Sequence, residues 1–226
     1  MLPINYINRY AKKTLVEYRT NPDYEFIRKE YDLENLTLPF VRDKLAQNFY
    51  FDSWDELLKT TNTHKQFIKL ILSHLYIHES GVFDKTGKPN WNIESWNRHT
   101  YLTISHYAAL YQCVMHISKT INDLLKPVQS INYKTDLNEL CNTIAPSISQ
   151  YFNPYDELDA GAIMLAMLMS GFRAVKRGRK VYFNVSQKNI TAIKQIHEMN
   201  KYLLDNNADY IVYDNTNPNG VLHIAV

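Results

Sequence analysis

The run AGAIMLAMLMSGF, residues 160–172, limits the fold more than any other stretch of the chain. As a helix it is apolar nearly all round, so it needs cover on every side. A membrane-spanning helix takes ~20 apolar residues, and this run is shorter, so its cover is protein. Asp156 or Asp159 can cap its start, and Gly171 is a natural cap for its end. Phe172–Val175 and Val181–Val185 then read as strands joined at Arg177-Gly178. Ser186 precedes a second helix with the stripe Ile190, Ile193, Ile196 and Leu203, and Tyr210–Tyr213 with Val221–Ile224 make a second hairpin. The order helix, hairpin, helix, hairpin predicts a small α+β domain at 152–226, its helices on one face of an antiparallel sheet.

Residues 1–150 read as helical. YINRYAKKTLVEYR places Tyr6, Tyr10, Leu15 and Tyr18 near one face, and Asn21-Pro22 ends it. Thr37 caps a helix with Pro39 in its first turn, and Ser53 with Glu56 is a capping box. Longer helices fill 62–150: one carries THKQFIKLILSHLYIHE and stops at Gly81, one spans about Ile93 to Leu125, and one spans Thr135 to Tyr151 with a kink or break at Pro146. With 45% apolar and 13% aromatic residues among 226, the chain has enough material for a core and is not disordered. Cys113 and Cys141 form no CxxC and no disulfide framework, which suits a reduced, cytoplasmic setting. The opening MLPINYINRYAKK lacks the apolar segment of a secretory signal.

The pieces YINRYAKKTLVEYR and LTLPFVRDKLAQNFYFDSWDELLK, within residues 5–59, carry a family likeness. They resemble a short helical module at the N-termini of ankyrin-repeat proteins, glyoxalase-superfamily proteins and some plasmid- or phage-borne proteins. The module has an Ala-Lys helix, a Leu-Thr-Leu start and a finish Ala-x-x-x-x-Gly-Phe-x-Ser-Trp-x-x-Leu. Ala11-Lys12, Leu36-Thr37-Leu38, Ala46, Phe51, Ser53, Trp54 and Leu57 match, and position 50 is Tyr where the pattern has Gly. The resemblance implies a helical module with no catalytic residue and no settled activity. Phe51 and Trp54 flank the capping Ser53 and nail two helices together, which makes Trp54 a core residue and not a ligand contact.

Net charge is only +2, so contact with nucleic acid needs a local patch. GFRAVKRGRKVYFNV offers one. With Arg177-Gly178 as the loop, Phe172, Ala174, Val181 and Phe183 share a packing face, and Arg173, Lys180, Tyr182 and Asn184 share the other. Lys176, Arg177 and Arg179 add charge at the tip. Cations neutralise phosphates and Tyr182 can stack on a base; the bland alternative is a hairpin tip kept soluble by charge. His74 and His78 stand at i, i+4, a spacing that can bind one metal from a helix, with His64 near that face, but the sequence is not HExxH. RHTYLTISH pairs Arg98 with His106 and resembles the Arg–His motif of helical-bundle ribonucleases of the HEPN kind. That motif sets the two closer together; here seven residues intervene.

The leading expectation is a non-catalytic, nucleic-acid-associated accessory or regulatory protein using Arg173, Lys176, Arg177, Arg179, Lys180 and Tyr182, without a cofactor. The alternatives are a protein-interaction or inhibitor module of a phage or plasmid, whose patch meets an acidic protein surface, and a bundle ribonuclease or His-ligated metal protein. No membrane partner is expected, and the sequence leaves the oligomeric state open.

Overall fold

A computed structural model describes residues 1–73, 77–78, 81–82, 104–149, 160–178, 180–205, 210–212 and 223–225; at 77–78, 81–82, 104–106, 149, 204, 210–212 and 223–225 only the backbone is described. The fold is α+β and mostly helical, with small antiparallel strand pairs toward the C-terminus. The chain divides into two compact units: residues 1–77 with 84–111, and residues 78–83 with 112–226. No helix among the described residues is long and apolar enough to cross a membrane.

In the first unit, α1 (Pro3–Thr20) is followed by a short 3-10 turn and by α2 (Glu25–Glu30), α3 (Leu38–Asn48), α4 (Trp54–Lys59) and α5 (Asn62–Ser73). α1 packs on α3 and α5 around Ile7, Ala11, Val41, Leu45, Phe67 and Ile68. The buried line of α1 is therefore Ile7, Ala11 and Thr14, with Tyr6, Tyr10, Leu15 and Tyr18 half-buried at its flanks. Both predicted caps form. Thr37 Oγ1 accepts from the Phe40 N–H, and Ser53 Oγ from the Glu56 N–H. Glu56 reaches back to the Asp52 N–H, one residue earlier than a capping box requires. Trp54 is half-buried beneath the Arg42 guanidinium, 5.4 Å from the ring centroid, so it is no part of the closed core.

α5 ends at Ser73, and Ile77–His78 (β1) pairs with Gly81–Val82 (β2). The predicted helix through residue 78 is thus corrected. Within α5 the Ser73 hydroxyl donates back to the Lys69 and Leu70 carbonyls.

The second unit takes most of α6 (Ile104–Leu124), then α7 (Leu137–Ser149), α8 (Ala160–Met169), β3 (Ala174–Arg177), β4 (Lys180–Phe183), α9 (Gln187–Asp205), β5 (Tyr210–Val212) and β6 (His223–Ala225). α7 runs through Pro146 without ending there. Its ties to α9, Lys194 Nζ to Glu139 at 2.6 Å and Ser147 Oγ to His197 Nε2 at 2.9 Å, place it with the second unit. α8 is buried from Gly161 through Met167, as its composition demands. Ser118 Oγ and Ser170 Oγ bond α6 and α8 to each other's carbonyls. α8 ends as Gly171 turns left-handed at φ +83°, with the Phe172 N–H on the Met167 carbonyl and the Gly171 N–H on that of Leu168. The helix–hairpin–helix–hairpin order holds, each hairpin forming its own two-stranded antiparallel pair among the described residues.

Candidate functional site

The β3–β4 register pairs Ala174 with Phe183, Val175 with Tyr182, Lys176 with Val181, and Arg177 with Lys180. The two-residue loop is therefore Gly178-Arg179, one position beyond the predicted Arg177-Gly178, and Gly178 provides the left-handed φ of +59°. Moving the turn by one residue moves cross-strand partners by two. The side-chain period is also two, so the faces survive. Phe172, Val181 and Phe183 are buried, and Arg177, Lys180 and Tyr182 share the opposite face. Lys176 pairs with Val181 and so belongs to the packing face, exposed at its outer end. Arg179 lies outside the described residues.

The second strand of this hairpin is not an open edge. Residues 126–136 run along it, with antiparallel bridges Pro127–Val185 and Asp136–Tyr182. The Val128 N–H donates to the Asn184 carbonyl at 2.7 Å and the Asn132 N–H to the Phe183 carbonyl at 2.8 Å. Asn184, expected on the presenting face, is instead buried as a bracket: its Oδ1 accepts from the Arg173 N–H at 2.6 Å and its Nδ2 donates to the Val128 carbonyl at 2.8 Å. A buried amide survives there because donor and acceptor are both satisfied.

The same segment engages the cations. The Arg173 guanidinium donates to the Gln129 carbonyl. Lys180 Nζ lies 2.7 Å from Asp136 Oδ2, and Asp136 Oδ1 accepts from the Glu139 N–H at the start of α7. The Lys180 hydrogen bond, helped by that backbone N–H, holds the Asp136 carboxyl below the ordinary carboxylate range, and Asp136 in turn raises the Lys180 amine. The Arg177 guanidinium sits over the Tyr133 ring, its Cζ 3.7 Å from the centroid, and Tyr182 meets Tyr133 edge-on at 5.4 Å. Tyr133 stays 46% exposed. Its turn is fixed by neighbours: Asn132 Oδ1 accepts from the Lys134 N–H, and Asn132 Nδ2 and Thr135 Oγ1 both donate to Gln187 Oε1. Lys126 and Lys134 add exposed positive charge on that segment, and Lys188 is exposed in the first turn of α9. Tyr133 was not among the sequence candidates; its one local signal is an aromatic residue beside a lysine in a polar connection.

His74 and Arg98 lie outside the described residues, as do Asp156 and Asp159. His78 stands in β1 and not on α5, which removes the i, i+4 pair; His106 sits in the first turn of α6. No group of three or more His, Cys, Asp or Glu that could hold a metal occurs among the described residues. His64 is half-buried, its Nε2 2.8 Å from Tyr107 Oη and its ring stacked 4.2 Å from Tyr111. Cys141 is a poor nucleophile, since burial pushes its thiol up to about 12. Comparison with family models, curated proteins and solved structures returns no match for this chain.

Proposed function

We propose that the chain is a non-catalytic, nucleic-acid-associated accessory or regulatory protein, and that the β3–β4 hairpin with residues 126–136 is its contact surface. The observation that carries this reading is the exposed Tyr133 ring with the Arg177 guanidinium over it and Tyr182 edge-on, together with exposed lysines on the neighbouring residues. Cations position a phosphate backbone, and an exposed ring beside them offers a face to a base. Lys180 is part-neutralised by Asp136 and Arg173 is held by Gln129, so the phosphate contacts fall chiefly to Arg177, Arg179 and the exposed lysines. Binding through these charges should weaken as salt rises.

A binding titration with DNA and RNA at ~50 mM and ~200 mM salt tests this, because each phosphate contact adds about one to the salt slope. Native protein should bind at low salt. Arg177→Ala combined with Arg179→Ala should weaken binding and flatten the slope by about two. Unchanged binding in that double variant, or no binding by the native chain, overturns the reading. A protein that co-purifies while nucleic acid is not retained would reassign the patch to an acidic partner.

A further inference from the structure

Resting on the nucleic-acid reading above, we infer that this surface takes single-stranded nucleic acid, with an unpaired base stacked on Tyr133. Tyr133 is nearly half exposed, yet it is built in. The Arg177 guanidinium sits over its ring, Tyr182 meets it edge-on, and the Asn132–Gln187–Thr135 hydrogen bonds fix the turn that carries it. A ring held in place this way loses little freedom when a base arrives, which is what a stacking platform needs. In a duplex, base faces are already stacked on one another, so such a ring reaches only unpaired bases. Charge agrees with the same occupant. Lys134 follows Tyr133 in the chain and is exposed, Arg177 is against the ring, and Asp136, the nearby carboxylate that would repel a phosphate, is paired with Lys180 at 2.7 Å. Stacking tolerates any base, so the preference is for strandedness and not for sequence.

The test is fluorescence anisotropy with fluorescein-labelled, mixed-sequence DNA and RNA strands of about 20 nucleotides and their matching duplexes, at one low salt concentration. Single strands should bind about tenfold more tightly than duplexes. Tyr133→Ala should lose about that factor on single strands and nothing on duplexes, while Tyr133→Phe keeps it. A thermal melt of Tyr133→Ala matching the native protein places any loss in the site and not in the fold. If duplexes bind as tightly as single strands, or Tyr133→Ala binds single strands like the native chain, the stacking inference falls while the broader nucleic-acid reading stands. If no oligonucleotide binds the native protein, both fall together.

Discussion

Tyr50 turns the chain left-handed at φ +62°, a conformation that costs a residue with a Cβ about 1–2 kcal/mol. Its neighbours hold it there. The Phe51 N–H bonds the Ala46 carbonyl at 3.1 Å and the Tyr50 N–H bonds that of Gln47 at 3.0 Å, the same closure that ends α8 at Gly171. The Tyr50 ring also lies 5.9 Å from that of Tyr107. The pattern that residues 5–59 resemble has Gly at this position. Tyr50→Gly should therefore relieve the strain, at the expense of the ring contact and a more flexible unfolded chain. Relief of about 1–2 kcal/mol of strain is offset by about 0.5–1 kcal/mol of chain entropy and by the lost ring contact, so Tyr50→Gly should keep a urea midpoint close to native. Tyr50→Val, which keeps the strain, loses the ring and adds β-branching, should lower the midpoint. Equal midpoints for Tyr50→Gly and Tyr50→Val would show that the backbone strain is not the controlling term.

Along the β3–β4 hairpin, what was legible in the sequence and what was not divide by distance along the chain. Alternation sorts Phe172, Val181 and Phe183 from Arg177, Lys180 and Tyr182 over a few residues, and a turn displaced by one position does not disturb it. The all-apolar α8 and its Gly171 cap are local patterns too. The lining of the hairpin by residues 126–136 is a long-range pairing, and its segment, KPVQSINYKTD, carries no strand period. Alternation alone therefore places Asn184 on the presented face, whereas it is buried, and gives no sign of Tyr133. The Lys180–Asp136 pair belongs to this element. Asp136 is held below the ordinary carboxylate range, so the pair contributes above that range and is lost as pH falls through the folded value. Its weight in stability is small because Lys180 is exposed. Its larger effect is on the field of the surface. Asp136→Asn keeps an acceptor for the start of α7 and frees Lys180, so nucleic-acid affinity at low salt should rise a few-fold with a salt slope steeper by about one. An affinity equal to native would place Lys180 outside the contact surface.

Among the described residues, each of the two units holds a histidine half-buried against a hydroxyl. In the first, His64 Nε2 meets Tyr107 Oη at 2.8 Å and Nδ1 meets Thr60 Oγ1 at 3.3 Å, with the Tyr111 ring stacked on the imidazole. In the second, His197 Nε2 meets Ser147 Oγ at 2.9 Å. Burial lowers both imidazole pKa values, and burial raises the Tyr107 hydroxyl, which stays protonated and can donate to a neutral ring. The sign of the linkage follows. Below the ordinary histidine value of about 6.5 the unfolded chain takes up protons that the folded units resist. Stability is therefore full above that value and declines as pH falls through it toward the lower folded values. Ordinary carboxylates titrate well below this window, which isolates the histidine contribution. Urea unfolding at about pH 7.5 and about pH 5.5 should give a lower midpoint at the acidic value. His64→Gln and His197→Gln each keep a polar partner and remove the titration, so each variant should lose part of the dependence and the double variant most of it. A native midpoint equal at the two pH values, or a double variant that keeps the full native dependence, would move the acid sensitivity away from these two rings.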